Sequence, residues 1–234
     1  MFADIIVPLL SLIALEVILG IDNIIFISIL SDKLPDEQKN KLRYWGIGLA
    51  MFIRLALLGV ISWILKLDNT LFTVFDVEIS GKGIILIVGG LFLIYKSTKE
   101  IVHRTEDENP VDKSGSKLGS FKKLLSEIII LDLVFSIDSI ITAVGMVQEL
   151  WIMYIAVIVS VTIMLFASKP ISKFIQKHPS FKILALCFLL MIGVSLIAEG
   201  LLFKIPKGYI YFSMAFAFLV DIIQLLKSKR NINR

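Results

Sequence analysis

Leu15-Glu16-Val17-Ile18-Leu19-Gly20-Ile21-Asp22-Asn23-Ile24-Ile25 sets two carboxylates inside an apolar run of more than twenty residues. The pattern returns as Leu131-Asp132-Leu133-Val134-Phe135-Ser136-Ile137-Asp138-Ser139-Ile140-Ile141. The offset is constant at 116 positions: 16 to 132, 20 to 136, 22 to 138 and 23 to 139. An acid, five residues, a second acid and a small polar residue, twice over in apolar surroundings, is the pattern any reading must explain.

The rest of the chain is apolar in the same way. Of its 234 residues 57% are hydrophobic and 19% charged, and mean hydropathy is +0.87. Soluble domains carry less apolar and more charged composition. Long apolar runs recur, as in integral membrane proteins. The net charge of +4 matches lysines and arginines bordering membrane spans and does not call for nucleic acid as a partner. The one cysteine, Cys187, excludes an internal disulfide and a thiolate metal site. The start of the chain lacks a basic segment and a small-residue cleavage site, so it reads as a first span and not as a cleaved signal peptide.

Seven spans are expected, each suited to a helix: 5–30, 44–65, 81–95, 124–147, 150–168, 183–203 and 209–226. Connectors separate them at 31–43, with Pro35 at a turn, and around Asp68, Asp76 and Glu78. A long polar segment, 96–123, reads as a flexible cytoplasmic loop. Lys169-Pro170 reads as the end of the fifth span, and Gly89-Gly90 suits close helix packing. The fold class is all-α, one transmembrane domain over 1–234. Repeat 1 covers about 5–95, repeat 2 about 124–203, and an extra helix about 209–226.

Basic residues give the orientation. Lys33, Lys39, Lys41 and Arg43 follow the first span, and seven between Lys96 and Lys123 follow the third. Lys169, Lys173, Lys177 and Lys182 follow the fifth, and Lys227, Lys229, Arg230 and Arg234 close the chain. The opposite side holds only Lys66, Lys82, Lys204 and Lys207. The positive-inside rule places the N-terminus outside and the C-terminus in the cytoplasm of a multi-pass cell-membrane protein. Spans 1 and 4, which carry the repeated motif, then run in opposite directions. Three spans plus three inverted spans, with polar sites near the midplane, is an architecture of secondary transporters.

Each ionisable group in the hydrocarbon costs about 2.5–3.5 kcal/mol on insertion scales, so Glu16, Asp22, Asp132 and Asp138 must face partners, a cavity or a cation. A network that only locks the bundle is the structural alternative. The available ligands are oxygens: the four carboxylates, Asn23, Ser136, Ser139 and freed carbonyls. Oxygen sets suit magnesium, calcium or manganese. A step of six residues turns a helix to about 120° in azimuth and climbs about 9 Å. Either each helix breaks near Gly20 or Ser136, or the acids form two layers, Glu16 with Asp138 and Asp22 with Asp132. Arg54 is a candidate counter-charge. Close carboxylates favour protonation of one member, so proton exchange for a metal ion is reasonable.

At these residues the chain resembles the TerC family, within the wider LysE-like transporter superfamily. The segments Glu16 to Asn23, Asp132 to Ser139, Ile192-Gly-Val-Ser-Leu-Ile-Ala-Glu199-Gly and Ile205-Pro-Lys-Gly-Tyr-Ile-Tyr211 carry the resemblance, which runs from the first span to the last. It implies manganese efflux, including supply of metal to secreted enzymes.

Together these readings give the expected function: a divalent cation exporter, for manganese, by alternating access. Glu16, Asp22, Asn23, Asp132, Asp138 and Ser139 are the metal ligands, Arg54 the counter-charge and Glu199 a gate. Asn23 and Ser139 equally suit helix–helix hydrogen bonds. Glu199 equally suits an ion pair with Lys204 and Lys207. Glu127 reads as an interface residue and Asp221 as lying near the inner surface. Asp68, Asp76 and Glu78 read as loop residues that could collect cations. The methionines, Met164 among them, read as packing or lipid contacts. The bilayer and a divalent ion are the partners, Mn2+ being substrate and no cofactor being required. A homo-oligomer and metal-requiring secreted or membrane proteins are further candidates. No nucleotide-binding loop, catalytic triad or zinc-protease motif is present, so no enzyme activity is expected. The alternative is a non-transporting membrane partner that assists assembly or metal loading of other proteins, docking through the basic loop.

Overall fold

The computed structural model describes residues 2–61, 65, 70–74, 77–106, 120–147, 149–203 and 205–232. Seven α-helices occur among them: α1 (Phe2–Ser31), α2 (Asp36–Gly59), α3 (Gly81–Glu106), α4 (Phe121–Met146), α5 (Leu150–Lys177), α6 (Pro179–Gly200) and α7 (Lys207–Ile232). Two short strands, β1 (Thr70–Val74) and β2 (Val77–Ser80), pair antiparallel between α2 and α3. The connector there read as irregular, so the hairpin is an addition to the all-α expectation. Asp68 and Asp76 and the side chain of Glu78, the proposed cation collectors, lie outside the described residues, as do Lys66 and Lys204.

Five helices are long and apolar enough to cross a membrane: α1, α2, α4, α5 and α6. Even the 22 residues of α6 rise about 33 Å, which covers a hydrocarbon core of about 30 Å. The helices α3 and α7 fall short by composition. In α3 the apolar stretch stops at Tyr95, and Lys96, Lys99 and Glu100 follow in the same helix. Large apolar side chains such as Phe52, Phe166 and Phe212 stand exposed on α2, α5 and α7, a surface suited to lipid and costly in water.

Three boundaries differ most from the sequence reading. α2 begins at Asp36 and not after Arg43, because Pro35 is extended (φ −56°, ψ 150°) and Asp36 and Glu37 occupy the first turn. Acids there complement the helix dipole, and Asp36 pairs with Lys39 at 2.7 Å. α3 continues to Glu106, so the first part of the supposed loop is helical. Its Lys96 and Glu100 are held by ion pairs to Glu127 of α4 and to Lys33. α5 passes through Pro170 to Lys177. Its last turns are fixed from outside the helix: Ser28 of α1 donates to Ser172 (2.8 Å), and Gln176 donates to Asp32 (2.7 Å). A proline removes one intrahelical bond, and neighbouring helices can make good the loss.

The packing has a simple plan. α1 lies along α5, α2 along α4, and α3 against α6, while α1 and α4 meet at the centre. Ser28–Ser172 and Asp32–Gln176 are both 144 residues apart, and Gly20 faces Met164 at the same separation. A constant difference means that α1 and α5 run parallel in one register. α3 and α6 run antiparallel, with Gly83 against Gly200 and Gly90 against Gly193. A Cβ on Gly90 would stand 2.5 Å from the Gly193 carbonyl oxygen, and one on Gly89 would stand 2.5 Å from Val134. The Gly89-Gly90 pair therefore packs two helices at once, Gly90 on α6 and Gly89 on α4. Small residues let backbones approach in this way.

Candidate functional site

Both motif helices are unbroken, α1 through Gly20 and α4 through Ser136. The broken-helix solution is therefore not the one adopted. Gly20 serves close packing instead: its bare Cα accommodates Met164. With regular helices, the six-residue step sends the two acids of each helix to different faces. All four are buried, Glu16, Asp22, Asp132 and Asp138 exposing 3, 5, 3 and 3% of their surfaces.

The first acid of each helix faces α2. There Arg54 forks between them: Nη1 donates to Glu16 Oε2 at 2.5 Å and Nη2 to Asp132 Oδ1 at 2.9 Å. The guanidinium exposes only 2% of its residue surface. Asn23 Nδ2 donates to the same Asp132 oxygen from α1 (3.0 Å), and Ser136 Oγ donates to Asp132 Oδ2 (3.2 Å). Planar guanidinium is suited to such sharing because its donors lie in a fixed fork. Two carboxylates and one guanidinium leave one net negative charge.

The second acids face the other way. Asp22 and Asp138 line a cavity with Phe135, Ser195 of α6, and Lys207 and Tyr211 of α7. Lys207 Nζ donates to Asp138 Oδ2. Lys82, at the start of α3, stands 3.4 Å from Asp138 Oδ1 and 3.3 Å from Glu199 Oε1. Lys207 lies 3.7 Å from Glu199 Oε2. Three carboxylates and two ammonium groups again leave one net negative charge. Next to the cavity is a cleft of about 520 Å³, lined by Lys82, Glu199 and Lys207 among others.

The expected layers, Glu16 with Asp138 and Asp22 with Asp132, are thus corrected. Height along the helix suggested them, but azimuth decides: equivalent acids meet, Glu16 with Asp132 through Arg54, and Asp22 with Asp138 across a cavity. The six candidate ligands are accordingly divided. Glu16, Asn23 and Asp132 belong to the Arg54 cluster, and Asp22 and Asp138 to the lysine cluster. Ser139 Oγ donates to the Ser136 carbonyl of its own helix at 3.3 Å. Among the described residues no three His, Cys, Asp or Glu side chains converge as a metal-binding group. Arg54 stands where a counter-charge was expected. Glu199 is ion-paired as expected, though to Lys82 as well as Lys207.

Lys82, Ser195 and Tyr211 had no assigned role in the sequence, and Lys207 was read only as an ion-pair partner of Glu199. A signal was available. Lys82 and Lys207 are two of only four basic residues on the basic-poor side, where a lysine needs a reason, and Ser195, Lys207 and Tyr211 sit inside the segments 192–200 and 205–211 that carried the resemblance. The whole chain, residues 1–234, matches the integral membrane protein TerC family.

The chain belongs to the TerC family.

It is 49% identical over 219 residues to a UPF0053 protein of Haemophilus influenzae, covering 94% of this chain and 92% of that one. It is 46% identical over 221 residues to the UPF0053 inner membrane protein YgdQ of Escherichia coli, with the same coverage. The UPF0053 inner membrane protein YoaE of Escherichia coli is 46% identical over 226 residues, 97% of this chain but 43% of YoaE. This TerC-family chain therefore spans less than half of that relative. No solved structure matches it.

Proposed function

We propose that this TerC-family protein exports a divalent cation, manganese first among candidates, by alternating access, with protons compensating charge. The observation that carries the reading is the Asp22–Asp138 pair. Two buried carboxylates from equivalent positions of two helices share a cavity beside an open cleft. Asp138 Oδ1 makes no hydrogen bond and has the Lys82 ammonium beside it at 3.4 Å. Oxygen ligands of this kind favour hard cations. On this reading the chain performs no covalent chemistry.

The packing plan supports an inverted repeat of α1–α3 and α4–α6. Exchanging the two sets turns the α1–α5 contact into α4–α2 and maps the α3–α6 contact onto itself, with its two glycine pairs interchanged. We read α3 and α7 as the remaining two of seven spans, and the basic residues as placing the C-terminus in the cytoplasm. Purified protein in liposomes provides the test. Manganese flux is expected in wild type and absent in folded Asp22→Asn and Asp138→Asn. Normal flux in both variants would refute the site. Flux indifferent to an imposed proton gradient would remove the proton from the cycle.

A further inference from the structure

We propose that Lys207 is a tethered cation that closes the Asp22–Asp138 cavity and yields it to an arriving metal ion by moving to Glu199. The inference rests on the cation reading above and deepens it. Three observations carry it. First, Lys207 lines both spaces: it belongs to the wall of the Asp22–Asp138 cavity and to the wall of the neighbouring cleft. A side chain common to both walls stands on the way from one to the other. Second, its ammonium donates to Asp138, one of the two cavity carboxylates, so it occupies the charge that a metal ion would seek. Third, a second acceptor is in reach on the cleft side, Glu199 Oε2 at 3.7 Å. Lysine is built for this exchange: a compact charge on a flexible four-carbon stem, whereas the guanidinium of Arg54 is a fixed fork.

The surroundings fit a side chain that moves a short way. Lys207 is the first residue of α7, next to Gly208, where a Cβ would meet nothing within 4 Å. Lys82 stays beside Glu199 and Asp138 at 3.3 and 3.4 Å and offsets part of the cleft's negative charge. Transfer of Lys207 from Asp138 to Glu199 conserves charge: one ammonium leaves one carboxylate and meets another, while the metal ion replaces it.

The experiment measures Mn2+ binding to the purified full chain by titration calorimetry, in wild type, Lys207→Gln, Glu199→Gln and the double variant. Removing the tethered competitor is expected to tighten Mn2+ about tenfold, and removing its alternative acceptor to weaken Mn2+ about tenfold. Through-space charge alone would give the same two directions, so the double variant decides. If Glu199 acts through Lys207, Glu199→Gln has no further effect once Lys207 is gone. Additive effects overturn the proposal, because independent charges add. A second variant guards against misfolding: Lys207→Cys with the native Cys187 replaced by serine. Attaching an aminoethyl group to the new thiol is expected to restore the wild-type affinity, and attaching a methyl group is not. Equal affinity after both overturns the tethered-cation role. Wild type that binds no Mn2+ overturns the transport reading together with this inference. Wild type that binds, with additive variants, overturns this inference alone.

Discussion

The two carboxylate clusters hold equal net charge and are built in opposite ways. Around Glu16 and Asp132 a single buried guanidinium is forked between both acids, with Asn23 and Ser136 supplying further bonds, and a small cavity borders Asn23, Arg54 and Asp132. Around Asp22 and Asp138 the cations arrive from the edge, on Lys82 and Lys207, at the mouth of a cleft. The first arrangement fixes α1, α2 and α4 together. The second holds its acids by separate flexible ammonium groups and adjoins the cleft of about 520 Å³. Burying an acid is therefore not enough to make a site. What matters is whether its partner can leave.

The sharpest way to break this contrast is to remove each cation in turn. Arg54→Met leaves two buried carboxylates uncompensated, and loss of one partner from such a set costs about 3–5 kcal/mol. A reversible denaturation titration should show that loss, and Arg54→Lys should not restore it, since one ammonium cannot serve both acids in a fork. Lys207→Gln should cost about 1 kcal/mol in the same titration, because Lys82 remains beside Asp138 and a replaced hydrogen bond is worth about that much. Equal losses would erase the distinction between strut and gate.

A second comparison sharpens how rigid the frame is around each motif. Gly90→Ala would push a methyl against the Gly193 carbonyl of α6, a backbone atom that cannot step aside. Overpacking of this kind costs about 1–3 kcal/mol, readable as a lowered denaturation midpoint. Gly20→Ala meets only the Met164 thioether, a flexible side chain that can turn away. Its cost should fall below about 1 kcal/mol. Asn23→Ala removes one hydrogen bond to Asp132 and should cost about 1 kcal/mol while leaving Mn2+ affinity unchanged. A large fall in affinity would place Asn23 among the ligands and join the two clusters.

Much of the fold was legible because lipid solvent makes strong demands on sequence. The apolar runs located the five helices that are long and apolar enough to cross a membrane, and Gly89-Gly90 announced a close contact that α3 does make. Polar boundaries were read less well. Pro35 does mark a turn, but the helix it opens starts at Asp36 and not after Arg43; the helical part of 96–106 and the passage through Pro170 were misjudged because contacts with other helices, Glu127 to Lys96 and Ser28 to Ser172 among them, decide those ends. The hairpin of β1 and β2 has short strands, too short for a local pattern to declare itself.

For the site, the sequence alone showed that four acids sit in apolar runs, that the repeat relates Glu16 to Asp132 and Asp22 to Asp138, and that the two acids of one helix face different ways wherever that helix is unbroken. Constant spacing and helical geometry suffice for all three. The tertiary structure decided which acids meet. Pairing depends on azimuth across the α1–α4 contact and on long side chains from α2, α3 and α7, and neither is written in the spacing. Arg54, Lys82 and Lys207 lie 38 or more residues from the acids of the repeated motif that they reach, so only the folded bundle could assign one cation to lock and another to yield.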